Sequence, residues 1–437
     1  MEALRIYTEK PYCLQGEVTI SGAKNAVLPA IAACLLTEDR VELTNVPLVK
    51  DVQTMLTLVG ELGASYSLDE NQKTLSLEVK RIKSTQAPYK LVRAMRASIL
   101  VLGPLLARSG QATVALPGGC AIGTRPVDLH ISGLQKLGAN LKIEHGYIIA
   151  EAKRLKGTEI EFEKKTVTGT ENLVMAACLA KGETILKNCA LEPEVVNLCE
   201  LLIRMGAKID GIGEETLRIT GTRELSGAEH RIIPDRIEAG TFLVASALTG
   251  GDLILKEVEP KQVEAVMDKL VMAGSQVELP GRNIVRIKGG EDLKPLDITT
   301  APYPGFPTDM QAQFMVLMTQ ANGRSIITET IFDRRFAHAN ELVRLGAWIE
   351  IEGDKAIIRG KTHLSGAEVM ATDLRASACL VLAGLIATGQ TTINEIEHLD
   401  RGYEKIEEKL RHLGVRIERF TNNNNNNNNN KKAEVKS

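Results

Sequence analysis

Six times along the chain, a helical run ends in the same signature: an apolar residue, a glycine and a small residue. The copies are Leu62-Gly63-Ala64, Leu137-Gly138-Ala139, Met205-Gly206-Ala207, Ala273-Gly274-Ser275, Leu345-Gly346-Ala347 and Leu413-Gly414-Val415. Their glycines lie 75, 68, 68, 72 and 68 residues apart. A period near 70 residues, kept this often, dictates a fold of repeated supersecondary units that bury their apolar faces against one another. At 437 residues the chain is also too long for one ordinary core, so two domains are expected.

Each copy has the same internal order. An Ala-rich, nearly all-apolar run comes first, at 26–36, 97–107, 172–180, 239–248, 312–321 and 376–387. A helix without a polar face belongs inside the protein. A turn and a strand follow, at 41–43, 112–114, 184–186, 253–255, 325–327 and 391–393. Next is an amphipathic helix, as at 194–205, where Val195, Leu198, Leu202 and Met205 share one face. Glycine is its stop, and alternating strands such as 140–144 and 348–352 close the copy. Six βαβαββ units divide best three and three, into α/β domains at 23–233 and at 1–22 plus 234–421. The crossover falls near 231–234, and a cleft between the domains is where a ligand is expected.

Composition narrows the function. A net charge of -2 excludes a global polycation, and 3% aromatic residues with no interleaved basic run argue against nucleic acid. Seven irregularly spaced cysteines without a CxxC pair fit neither a disulfide framework nor a zinc site, and suit a reducing cytoplasm. The histidines show no metal-ligand spacing, so no metal site is expected. The opening residues carry an early acid and no apolar core, unlike a signal peptide. No apolar stretch approaches a membrane span. Nine asparagines at 422–430 and the charged residues to 437 read as a disordered tail.

Charged residues recur at the starts of both helices of the repeat. Arg125, Arg335 and Arg401 stand 13, 11 and 13 residues before their repeat glycines. Lys24 and Asn25, Arg93 and Arg96, Asp235 and Arg236, Asp309, and Asp373 with Arg375 precede or open the apolar helices. Helix N-termini attract anions, and an arginine placed there opposes the dipole, which stability alone does not reward. Taken singly, Asp309 and Asp373 also read as N-caps, and Lys24 as a solvated loop lysine. Cys34, Cys178 and Cys379 sit in apolar runs as core residues. Cys120 differs: it lies between Gly118-Gly119 and Gly123, on a loop with no core to fill, five residues before Arg125. These features describe a two-domain transferase acting on polyanionic substrates, with Cys120 as acid or nucleophile.

Six motifs go further. They are Ser-Gly-Ala-Lys-Asn-Ala at 21–26, Met-Arg-Ala-Ser at 95–98, the run from Leu116 through Cys120 to His130, Phe-Pro-Thr-Asp-Met-Gln-Ala-Gln at 306–313, Ala-Thr-Asp-Leu-Arg-Ala-Ser at 371–377, and Asp-Arg-Gly-Tyr at 400–403. With them the chain, over about 4–420, resembles the UDP-N-acetylglucosamine enolpyruvyl transferases of bacterial peptidoglycan synthesis. The resemblance implies two inside-out α/β barrels, each of three repeats around buried helices. It implies a cytoplasmic monomer that serves cell-wall biogenesis and needs no cofactor. The implied reaction moves the enolpyruvyl group of phosphoenolpyruvate onto the 3′-hydroxyl of UDP-N-acetylglucosamine and releases phosphate.

On the family pattern Cys120 is the general acid and forms a covalent phosphoenolpyruvate adduct, the site of fosfomycin attack. Asp309 is the base for the 3′-hydroxyl, Asp373 assists proton handling, and Lys24, Arg125 and Arg401 hold phosphate and carboxylate, with Arg335 and Arg375 in support. Contacts to the nucleotide sugar fall to Asn25, Arg96, Arg125, Pro126, Val127, Asp128, Leu129 and Asp309. Lys165, Val167 and Thr168 match the segment that grips the uridine phosphates, and Ile331 is a backbone contact. Two alternatives stand beside this one: a 3-phosphoshikimate 1-carboxyvinyltransferase, which lacks the loop cysteine, and a nucleotide-sugar sensor on the same scaffold.

Overall fold

In the computed structural model the described residues are 2–116, 127–333 and 335–421. They form six four-stranded sheets with one topology. A short strand pairs in parallel with the strand after the apolar helix, and the two closing strands add antiparallel to it. The second sheet is typical: Gln86–Ala87 lies parallel to Gln111–Ala115, which pairs antiparallel with Tyr147–Glu151, itself antiparallel to Asn140–Glu144. The βαβαββ repeat is therefore the physical unit.

The chain divides into two compact units, one comprising 20–236 with 301–307 and the other 1–19, 237–300 and 308–437. Each contains three of the sheets, and in each a distant segment completes the set. In the first unit Glu229–Arg231, after the third repeat, returns to lie parallel to Val41–Thr44 of the first. In the second unit Gln15–Thr19 lies parallel to Asp252–Lys256. Glu2–Thr8 inserts between Gly389–Asn394 and Ile417–Thr421, taking the third position of the last sheet.

The apolar helices are the centres of these units. In Lys24–Ala33 every residue from Ala26 onward is buried, as is every residue of Arg236–Thr249 after Arg236. The amphipathic helices Lys50–Leu62 and Pro193–Arg204 bury one face and leave the other to solvent. All six signature glycines take positive φ, between 87° and 124°, which stops each amphipathic helix at little cost.

Two entries to the apolar helices differ from a simple helical run. Residues Arg96–Val101 form a 3₁₀ segment before the helix Leu102–Ser109, and Thr308–Met310 does the same before Gln311–Thr319. Among the described residues no helix is long and apolar enough to cross a membrane. Cys34, Cys178, Cys189, Cys199 and Cys379 are buried free thiols and Cys13 is exposed.

Candidate active site

In the second unit the 3₁₀ turn Thr308–Met310 turns the Asp309 side chain away from the helix it precedes. Met310, not Asp309, is the N-cap of Gln311–Thr319, so Asp309 has no capping task. Its carboxylate instead takes one guanidinium on each oxygen: Arg335 Nη2 donates to Oδ1 and Arg375 Nη2 to Oδ2, both at 2.8 Å. Both arginines are buried, while 27% of the Asp309 side chain is exposed. Burial alone would raise this carboxyl; Arg375 and then Arg335 outweigh it, by charge and hydrogen bonding, and hold it well below the usual carboxylate range. Such a carboxylate accepts a hydrogen bond readily and takes a proton reluctantly.

The arginines are themselves held. Arg375 Nη1 donates to the Tyr403 hydroxyl at 3.3 Å, and its guanidinium carbon lies 5.6 Å from that ring's centre. Tyr403, in turn, meets Thr241 Oγ1 at 2.8 Å and the amide of Gln313 at 3.4 Å. Arg335 Nη1 donates to Thr308 Oγ1 at 2.7 Å, and the Thr308 hydroxyl donates to Glu329 Oε2 at 2.8 Å. Glu329 Oε1 accepts the backbone N–H of Ile331 at 2.9 Å, which ties Ile331 into the Asp309 network. Glu329 is a residue the sequence reading missed, and its only signal is an acid directly after the apolar strand Arg324–Thr328.

Asp373 has the capping role. Its Oδ1 accepts from Arg375 N at 2.8 Å and Ala376 N at 3.0 Å at the start of Leu374–Gly384. Arg401 departs from the expected helix start: it ends the 3₁₀ turn Ile396–Arg401, and the next helix begins at Ile406. The reason lies in its motif, where Arg419 takes the Asp400 carboxylate with both terminal nitrogens, at 2.7 and 2.9 Å, while Tyr403 turns to Arg375.

In the first unit Lys24 opens its helix, and its Nζ lies 3.2 Å from Asp51 Oδ2 in the first turn of Lys50–Leu62. Asn25 beside it is half-buried. Arg96 opens its 3₁₀ segment and is half-buried. Val127 precedes the helix Asp128–Lys136, with Asp128 exposed and Leu129 half-buried. Val167 and Thr168 open Val167–Ala177, whose N-cap Thr166 accepts from Gly169 N. His130 joins these two helix starts: its Nε2 lies 3.3 Å from Thr168 Oγ1 and its Nδ1 2.9 Å from Asn172 Nδ2. Burial, with the charge of Arg96 adding to it, pushes His130 down to about 4. Lys165 turns elsewhere, to Glu215 Oε1 at 2.6 Å and Cys189 O at 3.4 Å. Cys120, Arg125, Pro126 and the 422–437 tail lie outside the described residues. Among the described residues no cluster of three or more His, Cys, Asp or Glu is arranged to hold a metal ion.

Comparison with known proteins agrees with this frame. A sequence profile of the EPSP synthase (3-phosphoshikimate 1-carboxyvinyltransferase) family matches residues 8–410. The UDP-N-acetylglucosamine 1-carboxyvinyltransferase of Koribacter versatilis (strain Ellin345) is 58% identical over 408 residues, covering 93% of this chain and 94% of the relative. The protein of the same name from Magnetococcus marinus (strain MC-1) is 56% identical over 407 residues, covering 93% of this chain and 97% of its own. Among solved structures, the enolpyruvyl transferase NikO from Streptomyces tendae superposes with a TM-score of 0.87 at 25% identity, covering 96% of this chain and 99% of that one. An EPSP synthase from Acinetobacter baumannii has a TM-score of 0.73 at 20% identity, covering 96% of this chain and all of the other, a likeness of fold.

Proposed function

The chain belongs to the EPSP synthase family of enolpyruvyl transferases, and on that premise we propose that it acts as a UDP-N-acetylglucosamine 1-carboxyvinyltransferase. The observation that carries this choice is identity of 56–58% along nearly the whole chain to two proteins of that name, against 20% to an EPSP synthase. The fold alone does not separate the two acceptors.

In the proposed reaction the 3′-oxygen of the sugar bonds to C2 of phosphoenolpyruvate while a proton goes to C3, giving a tetrahedral intermediate. The bond from C2 to the phosphate oxygen then breaks, C3 returns a proton to the Cys120 thiolate, and phosphate leaves. Cys120 is the proposed proton donor to C3, and in its adduct Sγ bonds to C2 of phosphoenolpyruvate as the thiol proton goes to C3, with the phosphate still attached; an ordinary thiol pKa of about 8.5 suits donation near neutrality. Asp309 is the proposed acceptor of the 3′-hydroxyl proton; with its low pKa it takes that proton only as the oxygen bonds to C2, and Asp373 is proposed to pass it on. We assign proton handling to Asp373, phosphate and carboxylate binding to Lys24, Arg125 and Arg401 with Arg335 and Arg375 behind them, and the nucleotide to Asn25, Arg96, Pro126, Val127, Asp128, Leu129, Lys165, Val167, Thr168 and Ile331. Positive charge around phosphate and carboxylate stabilises both the bound substrate and the leaving group. The working domains are proposed as 23–233 and 1–22 with 234–421, in a cytoplasmic enzyme.

Phosphate release from phosphoenolpyruvate tests the reading. It is expected with UDP-N-acetylglucosamine and absent with shikimate 3-phosphate; release only with the latter reverses the assignment, and release with neither favours a sensor. Fosfomycin is expected to add its mass to Cys120, and adduct on a different cysteine would refute that thiol's role.

A further inference from the structure

The hydrogen bonds around Asn172 determine which nitrogen of His130 carries its proton. Asn172 Oδ1 accepts the backbone N–H of Gly103 at 2.7 Å, so this end of the amide is the oxygen. The other end, Nδ2, donates to Ile99 O at 3.2 Å and meets His130 Nδ1 at 2.9 Å. An amide nitrogen only donates, so Nδ1 of His130 accepts and is bare. The ring is therefore neutral with its proton on Nε2, and the atom facing Nε2 is Thr168 Oγ1 at 3.3 Å. Thr168 accepts there, which leaves its own hydroxyl proton to point elsewhere, and no protein acceptor for it occurs among the described residues.

The packing makes this chain of bonds hard to rearrange. A Cβ on Gly103 would stand 2.3 Å from Asn172 Oδ1, and one on Gly133 would stand 2.2 Å from Leu173 Cδ1. Glycine at both places lets the neighbouring helices close directly on Val167–Ala177, with His130 4% exposed and Asn172 fully buried. Hydroxyl rotors are ordinarily free to turn; with Nε2–H against one side of its oxygen, this one cannot direct its proton at His130.

We propose that His130 is a positioning residue that fixes the Thr168 hydroxyl as a hydrogen-bond donor toward the diphosphate of the nucleotide sugar. The inference rests on the function proposed above, which puts Thr168 at that diphosphate. A hydroxyl turned this way adds a donor to the free N–H groups of the helix it opens, and an anion there benefits from both.

The test uses full-length protein and UDP as the probe, with binding measured by calorimetry. His130→Asn places an amide oxygen near the Nδ1 position, keeping the acceptor for Asn172 while removing the donor to Thr168; His130→Gln places a donor near Nε2. Wild-type protein is expected to bind UDP, with H130N and T168V each weaker by about three- to tenfold, the size of one modest hydrogen bond. Because both act through one hydroxyl, the H130N/T168V double variant should bind no more weakly than T168V. H130Q and T168S should stay within about twofold of wild type, and nitrogen-15 NMR should find the His130 Nδ1 unprotonated. If H130N does not fold, H130Q against T168V carries the comparison. UDP binding by H130N equal to wild type, or losses that multiply in the double variant, overturns the proposal. Wild-type protein that binds neither UDP nor UDP-N-acetylglucosamine overturns the functional reading as well.

Discussion

At the scale of single residues, Asp309 shows how far a sequence can mislead about one acid. Its place before an apolar helix reads as an N-cap, the role Asp373 does fill. A 3₁₀ turn moves the cap to Met310 and gives Asp309 to two arginines 26 and 66 residues downstream. No local spacing encodes partners that far away. Removing the charge should leave two buried guanidiniums facing each other, so Asp309→Asn is expected to lower stability by about 3–5 kcal/mol. Urea unfolding of the variant measures this, and a loss below about 1 kcal/mol would mean the arginines find other partners. The phosphate-release rate of the same variant should fall by about 100-fold or more.

Histidines at this scale predict acid sensitivity. Burial chiefly, with Arg96 and Arg204 adding, pushes His130 and His230 to about 4 in the folded chain. An unfolded histidine titrates near 6.5, so the unfolded chain takes up these protons first. Stability present above about pH 6.5 is therefore lost as the pH falls toward 4, on the order of 3 kcal/mol for each ring. Denaturation midpoints at pH 7.5 and pH 5 should differ accordingly, and His230→Gln should flatten the slope. Equal midpoints at both values would remove the argument. His338 stands, like His130, eight residues before its repeat glycine and is pushed down to about 4 by burial first of all. The equivalence was legible in the sequence only after the repeats were aligned.

Among the elements, the repeat glycines made the most legible signal, because a helix stop with positive φ tolerates few other residues. Apolar helices and the strands after them were readable for the same kind of reason: a run without a polar face has one place to go. The 3₁₀ entries at Arg96–Val101 and Thr308–Met310 were not readable, since tertiary partners rather than propensity set how a chain enters a buried helix. Arg401 fell outside the pattern because Asp400 and Tyr403 are drawn to Arg419 and Arg375. Two glycine substitutions separate the reasons for glycine. At Gly206, with φ of +98° and little around it, alanine is expected to cost about 1–2 kcal/mol of backbone strain. At Gly133 a Cβ meets Leu173 at 2.2 Å, and overpacking should cost about 1–3 kcal/mol and disturb the His130 contacts as well. Thermal melts with UDP titration distinguish them: only Gly133→Ala should also weaken UDP.

Across the whole molecule, the periodicity foretold a βαβαββ unit, and six sheets of one strand order realise it. What periodicity does not carry is where a repeat borrows a strand. The return of Glu229–Arg231 to the first sheet is a three-residue pairing, and 301–307 groups with the first unit through seven residues with no apolar pattern of their own. Neither is long enough to register as an element.

The strand Glu2–Thr8 is translated about 380 residues ahead of Gly389–Asn394 and about 410 ahead of Ile417–Thr421, the two strands it pairs with. At about 5–20 residues per second, a ribosome needs roughly 20–80 s to supply them. During that interval Leu4 and Ile6, fully buried in the finished sheet, have no face to pack on, whereas 20–236 already holds all the strands of its three sheets. Biogenesis therefore leaves this strand without its partners until residues 389–421 are made, and a chain released before residue 389 should yield a protease-resistant 20–236 fragment while the Glu2–Thr8 segment is degraded.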